Sequence, residues 1–369
     1  MKLMKTTEAV GQVLCHDITQ IIPGVKKDAV FRKGHIITKE DIPVLLSVGK
    51  DTIYIWENDE TMMHENEAAE VLYRMSACGT NSNETDGERH CEAAESGVFG
   101  GAASKMHPSP VKEGKIEVIA DCDGLLKVDS EKLKKVNSFG EMMIATRHGN
   151  TTVKKGDKLA GTRIIPLVIK KDKLKEASNI CEDGPILDIK PFVVRKAAII
   201  TTGNEVYHGR IQDAFTPVIE KKIAEFGAQM MFHEVFDDDD KKITEGCLRA
   251  IEAGAEIVFC TGGMSVDPDD KTPLAIKNTG ARIVSYGSPV LPGAMFLLSY
   301  YDAGDRLVPI CGLPGCAMYN KRTIFDIVLP RLMARDMIYA DELAGLGEGG
   351  LCLNCDVCTF PNCGFGKGF

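Results

Sequence analysis

From Pro191 to about Asp336 short apolar runs alternate with segments of helical period, and that rhythm restricts the fold more than any other feature. KAAIITTG reads as a buried strand. TPVIEKKIAEFG reads as a helix with Val218, Ile219, Ile223 and Phe226 on one face and Gly227 at its stop. QMMFHEVF, the helix KKITEGCLRAIEAG, AEIVFC, a short helix, RIVSY, the hairpin AMFLLSYYDAGDRLVPIC and a long helix over 317–336 follow. Strands separated by helices predict an α/β fold, a three-layer, mostly parallel sheet with helices on both faces.

The rest of the chain reads differently. Residues 1–78 hold FRKGHIITKEDIPVLLSVGKDTIYI, read as a β-α-β unit with Thr38 at the helix start, then a helix with Ala68, Val71, Leu72 and Met75 at helical spacing. Residues 79–110 are Gly-, Ser-, Asn- and Glu-rich without period, as in a flexible insert or linker. Residues 111–190 alternate short strands and turns, which predicts a smaller β-rich domain. Within it, 147–175 carries Arg147, Lys154, Lys155, Lys158, Arg163, Lys170, Lys171, Lys173 and Lys175 against Asp157 and Asp172, the pattern of a solvated face or an anion-attracting patch. Residues 337–369 form a Gly- and Cys-rich tail, with LAGLGEGG as a flexible tether.

Composition narrows the function. A net charge of -9 speaks against general nucleic-acid binding, which depends on Lys and Arg to displace counterions. No apolar run reaches the roughly 18 to 20 residues of a membrane span, and the first twelve residues are too polar for a signal peptide, so a cytoplasmic protein is expected. Thirteen cysteines in such a setting predict free thiols rather than a disulfide framework.

In an open α/β sheet ligands bind beyond the carboxyl ends of the strands. Three turns qualify: TTGNE at 201–205, TGGMSVDPDD at 261–270 and GLPGC at 312–316. Glycine lets backbone N–H groups approach an anion, and carboxylates attract a divalent cation. Mg²⁺, which prefers one or two carboxylates plus anionic oxygens and water, suits Glu205 and Asp270. The acids at 237–240 precede a helix, where its dipole favours negative charge. Cys352, Cys355, Cys358 and Cys363 are spaced C-x2-C-x2-C-x4-C, a pattern that favours a [4Fe–4S] cluster, with structural zinc and free thiols as alternatives. Cys311 and Cys316 bracket GLPG and are read as packing residues.

Taken in order, TTGNE, DDDD, TGGMSVDPDD, PGAM at 292–295 and GLPGC make residues 192–335 similar to the MogA/MoaB/MoeA molybdopterin-binding domain family. The 1–78 stretch also resembles part of MoeA, so the expected architecture is MoeA-like but rearranged. The resemblance implies molybdopterin bound through Thr202, Gly203, Asn204, Thr261, Gly262, Gly263, Ser265, Pro292, Gly293, Gly312, Pro314 and Gly315. It also implies Glu205 and Asp270 as catalytic ligands of Mg²⁺ and molybdate, supported by Asp237 or Asp238. Further implications are molybdate as co-substrate, a molybdoenzyme partner and a dimer or trimer. The family reads TGDE, SVG followed by two spaced acids, PGKP and GLPGNP; this chain places Asn204 and Pro268 on acids and lacks the lysine and the asparagine. Nor does it carry an SAMDGYA loop. Two functions follow as expectations: molybdate insertion into adenylylated molybdopterin, or non-catalytic carriage of the cofactor. A nucleotide-processing enzyme of the competence-damage type is the more distant alternative.

Overall fold

The structure is a computed structural model, and it describes residues 2–22, 26–55, 59–78, 105–265, 267 and 270–368. The chain divides into two compact units. One comprises 1–121, 128–147 and 155–188; the other comprises 122–127, 148–154 and 189–369.

In the first unit, antiparallel pairs join Lys2–Lys5 to Thr52–Ile55 and Ile18–Ile22 to Lys26–Phe31. The expected strand–helix–strand order is present, with helix Asp41–Ser47 between, but each flanking strand pairs elsewhere rather than with the other. Thr38 does not cap that helix; its N–H and hydroxyl both donate to Asp41. Helix Glu65–Ala77 buries Ala68, Leu72 and Met75 as its period predicts. A four-stranded antiparallel sheet runs in the order Met106–Pro108, Lys115–Ala120, Lys158–Ile164, Met142–Thr146.

Two expectations change here. Residues 79–104 of the anticipated insert lie outside the described residues, and its end is a strand, because Met106 buries its side chain and pairs with Ala120. The 111–190 segment is not one domain: Gly124–Val128, Thr151–Val153 and Leu187–Lys190 form a three-stranded sheet whose residues fall mainly in the second unit. The basic stretch is partly neutralised within the first unit, Arg147 by Asp157 at 2.9 Å and Lys173 by Glu141 at 2.7 Å.

The second unit is built on a six-stranded sheet: β1 (Lys196–Thr202), β2 (Gln229–Phe236), β3 (Ile257–Thr261), β4 (Arg282–Tyr286), β5 (Leu297–Asp302) and β6 (Leu307–Leu313). Their order is β2-β1-β3-β6-β5-β4; the first four are parallel, and β5 and β4 are antiparallel additions. Side chains alternate across the sheet and meet a helical layer on each face. Ile199, Phe259 and Leu313 pack with α1 (Asn204–Tyr207) excluded, against Ile219 and Ile223 of α2 (Phe215–Ala224), with Phe325 and Leu329 of a later helix in the same cluster. Ile200, Val258 and Ile310 meet Ile243 and Cys247 of α3 (Asp240–Glu252) and Ala275 and Ile276 of α4 (Thr272–Asn278). The expected three-layer α/β architecture is present.

The predicted long last helix is two pieces. A 3₁₀ turn covers Gly315–Met318, and α5 (Ile324–Met333) starts afresh at a Thr323/Asp326 capping box. The tail is no tether. After α6 (Ala340–Gly345), Leu351 bridges to Leu291, and Phe365, 4% exposed, enters the same core as Phe259. The glycines permit this close approach: a Cβ on Gly366 would stand 2.7 Å from Ile327 Cδ1.

Candidate functional site

The three glycine turns leave adjacent parallel strands at one level. Thr201 of β1 pairs with Thr261 of β3, and Thr261 with Leu313 of β6, so the turns after all three leave the same edge of the sheet. Thr202 Oγ1 donates to the Thr261 carbonyl at 3.1 Å and stands 3.0 Å from Thr272 Oγ1. Thr272 Oγ1 lies 2.9 Å from the Gly262 carbonyl, and its N–H donates to Gly263 O at 3.2 Å. These bonds draw the TGG turn against the end of β1. At Gly262, φ is +81° and a Cβ would fall 2.0 Å from the Thr202 carbonyl, so only glycine closes this turn.

The other glycines are used differently. A Cβ on Gly312 would meet the Met264 thioether at 2.5 Å, so this glycine is the notch that seats Met264. Gly293 is pressed on Ile324, whose N–H donates to the Pro292 carbonyl at 3.1 Å; Pro292 and Gly293 thus serve the start of α5. Pro314 is buried, whereas Gly315 is exposed with open space beside it.

Glu205, Asn204 and Ser265 are exposed, and Asp270 is half-buried. Val266, Pro268 and Asp269 of the anticipated motif lie outside the described residues. No hydrogen bond or ion pair joins Glu205 to Asp270 among the described residues. Asp270 instead sits near Tyr286, whose phenol is pushed up by burial and then by that carboxylate.

The four acids after β2 divide their tasks. Asp239 caps α3, accepting from the N–H groups of Lys241 and Lys242. Asp240 accepts from Asn278 Nδ2 at 3.1 Å. Asp238 accepts from Asn204 N–H at 3.1 Å, tying the run to the TTGNE turn, and Asp237 pairs with Lys242 at 2.7 Å.

Buried polar atoms without partners mark where a ligand would satisfy them. Among the described residues there are three: Asp237 Oδ1, Thr261 Oγ1 and His16 Nδ1. The first two stand at the carboxyl ends of β2 and β3, beside the turns. Asp237 Oδ1 has lone pairs free for a donor or a cation, but the expected metal ligands Glu205, Asp237, Asp238 and Asp270 are not gathered into a group that could hold a metal ion among the described residues.

Two further residues escaped sequence reasoning. Asp213 accepts from Thr201 Oγ1 at 3.0 Å and Thr216 Oγ1 at 2.6 Å, and from the N–H groups of Phe215 and Thr216. His233 Nε2 is 3.1 Å from Thr201 Oγ1. Asp213 follows a glycine turn and precedes a helix, the one sequence signal that could have flagged it.

The four tail cysteines do not converge. Cys352 and Cys363 pack against the apolar core while Cys355 and Cys358 face solvent, and no three His, Cys, Asp or Glu side chains are grouped to hold a metal ion among the described residues. The expected preassembled cluster or zinc site is therefore absent from the described residues, because packing turns half of the thiols inward. Cys311 is fully buried, which pushes its thiol far up, and half-burial raises Cys316.

The second unit is thus an α/β domain with a ligand-type rim at the carboxyl end of its parallel strands. Residues 198–334 match the model of a family described as a probable molybdopterin binding domain, and residues 3–57 match a domain of unknown function. Over these residues the α/β unit is similar to the MogA/MoaB/MoeA family. Relatives include a putative competence-damage inducible protein of Geobacillus sp. (strain WCH70), 34% identical over 24% of this chain and 20% of that protein. A molybdopterin molybdenumtransferase of Staphylococcus epidermidis is 26% identical over 41% of this chain and 38% of its own. Among solved structures, the tungsten cofactor synthesizing protein MoaB from Pyrococcus furiosus aligns over 39% of this chain and 97% of that one, at 17% identity and a TM-score of 0.33. The chain spans about a fifth of the length of the competence-damage relatives it matches. No helix among the described residues is long and apolar enough to cross a membrane.

Proposed function

We propose that the α/β unit binds molybdopterin through its phosphate at the carboxyl rim and acts in molybdenum cofactor biosynthesis, inserting molybdate into the adenylylated dithiolene. The observation that carries this reading is the level placement of three glycine turns beside two buried oxygens without partners, Thr261 Oγ1 and Asp237 Oδ1. Gly315, open on its outer side, gives a phosphate access to the main chain, and the Thr261 hydroxyl offers a further hydrogen bond. Glu205 and Asp270, with Asp237, are the side chains that would supply oxygens to Mg²⁺, although among the described residues they are not gathered into one metal-holding group; when bound, the ion would neutralise charge on phosphate and molybdate oxygens. The chain's own residues orient the pterin phosphate, and the Met264 and Leu313 side chains keep the strand ends dry.

A carrier that delivers cofactor to a molybdoenzyme is the second reading. It is favoured by Ala294 standing where the family's PGKP motif has its lysine. A nucleotide-processing enzyme is the third reading, in keeping with relatives named putative competence-damage inducible proteins, and a pyridine nucleotide is the ligand that would test it.

One experiment separates these. The protein is mixed with adenylylated molybdopterin, Mg²⁺ and molybdate, and AMP release and pterin-bound molybdenum are measured. Release abolished by Glu205→Gln and Asp270→Asn supports insertion. Tight binding without release supports carriage, and no affinity for any pterin phosphate rejects both. A cluster or zinc on the tail requires Cys352 and Cys363 to leave their apolar contacts; iron, sulfide and zinc analysis of anaerobically prepared protein tests it separately.

A further inference from the structure

Glu205 is exposed on the single helical turn α1, so where its carboxylate stands depends on how the 203–212 loop that contains this turn is anchored. The loop is closed on itself: the N–H groups of Arg210 and Ile211 donate to the Glu205 carbonyl at 2.8 and 3.2 Å, and that of Tyr207 to Gly203 O at 2.9 Å. Its entry is tied by Gly203 N–H to Phe236 O at 3.2 Å. Asp238 holds the Asn204 N–H at 3.1 Å, and the exit is tied by Asp213. One oxygen of Asp213 holds the Phe215 and Thr216 N–H groups at the start of α2; the other receives the hydroxyls of Thr201 and Thr216.

Both hydroxyl protons are committed to that carboxylate, which has no proton to return. His233 Nε2 lies 3.1 Å from Thr201 Oγ1, 3.3 Å from Thr216 Oγ1 and 3.5 Å from Asp213 Oδ2, and joins the cluster as donor or acceptor according to its tautomer. The arrangement is a closed set of donors and acceptors spanning β1, β2 and α2. Burial would raise the Asp213 carboxyl, yet the threonine and main-chain bonds hold it below the usual carboxylate range, as expected of an ionised acceptor.

We propose that Asp213 is the positioning residue of the 203–212 loop: by clamping the loop exit to Thr201, the first residue of the TTGNE turn, it sets where Glu205 stands at the rim. The proposal deepens the reading of Glu205 as a cation ligand and rests on that reading only for its binding readout.

The test compares the full chain with Asp213→Asn, Thr201→Val, Thr201→Ser and the Asp213→Asn/Thr201→Val double variant. Asparagine keeps one oxygen for the main-chain N–H groups but cannot receive the hydroxyls, valine deletes the hydroxyl at equal size, and serine restores it. Two quantities are read: hydrogen exchange of the 203–212 amides, and Mn²⁺ affinity by water-proton relaxation, with Mn²⁺ standing in for Mg²⁺. Expected are exchange at 203–212 at least tenfold faster and Mn²⁺ bound about tenfold more weakly in Asp213→Asn and Thr201→Val. The double variant should be no worse than Asp213→Asn, Thr201→Ser should be near the parent, and peptides of 256–261 and 307–313 should be unchanged. Unchanged exchange, or exchange raised equally across the α/β unit, overturns the proposal. If the parent protein binds no Mn²⁺, the cation reading of Glu205 fails, while the exchange pattern still decides the role of Asp213.

Discussion

Gly262 and Gly315 look alike in sequence, each a glycine of a turn after a strand, yet the structure asks different things of them. Gly262 combines a left-handed φ with a Cβ position 2.0 Å from a carbonyl oxygen, whereas Gly315 has neither a positive φ nor any atom within 4 Å. Gly262→Ala should therefore lower stability by on the order of 1 to 3 kcal/mol in a urea titration. Gly315→Ala should fold within about 0.5 kcal/mol of the parent and show its effect in pterin affinity instead. Reading the sequence found both positions because glycine after an apolar run is a strong local signal. It could not tell these from Gly312 and Gly293, which serve Met264 and Ile324, since their partners lie far along the chain. Asp213 and His233 stayed hidden for the same reason: an acid and a histidine 20 residues apart announce nothing until two strands are paired.

At the scale of elements, helix and strand periods carried the α/β unit well, and the end of the chain poorly. Glycines at 345–350 read as slack because glycine is the common residue of linkers, but here they let backbone pack on backbone, as where a Cβ on Gly350 would come 2.4 Å from Pro289 O. The tail is consequently structural. Phe365→Ala should cost about 3 to 5 kcal/mol, the usual range for a buried phenylalanine, and reduce the unfolding midpoint of the α/β unit. Thiol titration provides a second check. Cys355 and Cys358 should react first with a water-soluble disulfide reagent, Cys352 and Cys363 more slowly, and fully buried Cys260 and Cys311 only on unfolding. The acidic run shows the opposite limit: a helix start was legible, but not that Asp238 would reach the Asn204 N–H group.

At the scale of the molecule, the boundary near residue 190 followed the change in rhythm, while the two excursions at 122–127 and 148–154 could not be read from composition, because strands join units by hydrogen bonding rather than by residue type. One consequence is electrostatic. Asp336, buried after α5, is surrounded by Lys127 at 2.8 Å, Lys190 at 2.5 Å and Arg331 at 2.6 Å. Burial opposes its charge, but these cations prevail and bring it from 3.8 to about 2. A depressed carboxyl favours the folded state above its unfolded value and loses that contribution as pH falls. The stability of the second unit should thus decline by about 2 kcal/mol between roughly pH 4 and 2, and Asp336→Asn should flatten that limb of an acid titration. Met264 in its Gly312 notch, finally, makes two neighbouring turns mechanically one. A methyl group at residue 312 would lift the methionine and the TGG segment with it, so Gly312→Ala should harm the protein far less once Met264→Ala has emptied the seat. Ligand that settles one of these turns will steady the other without touching it.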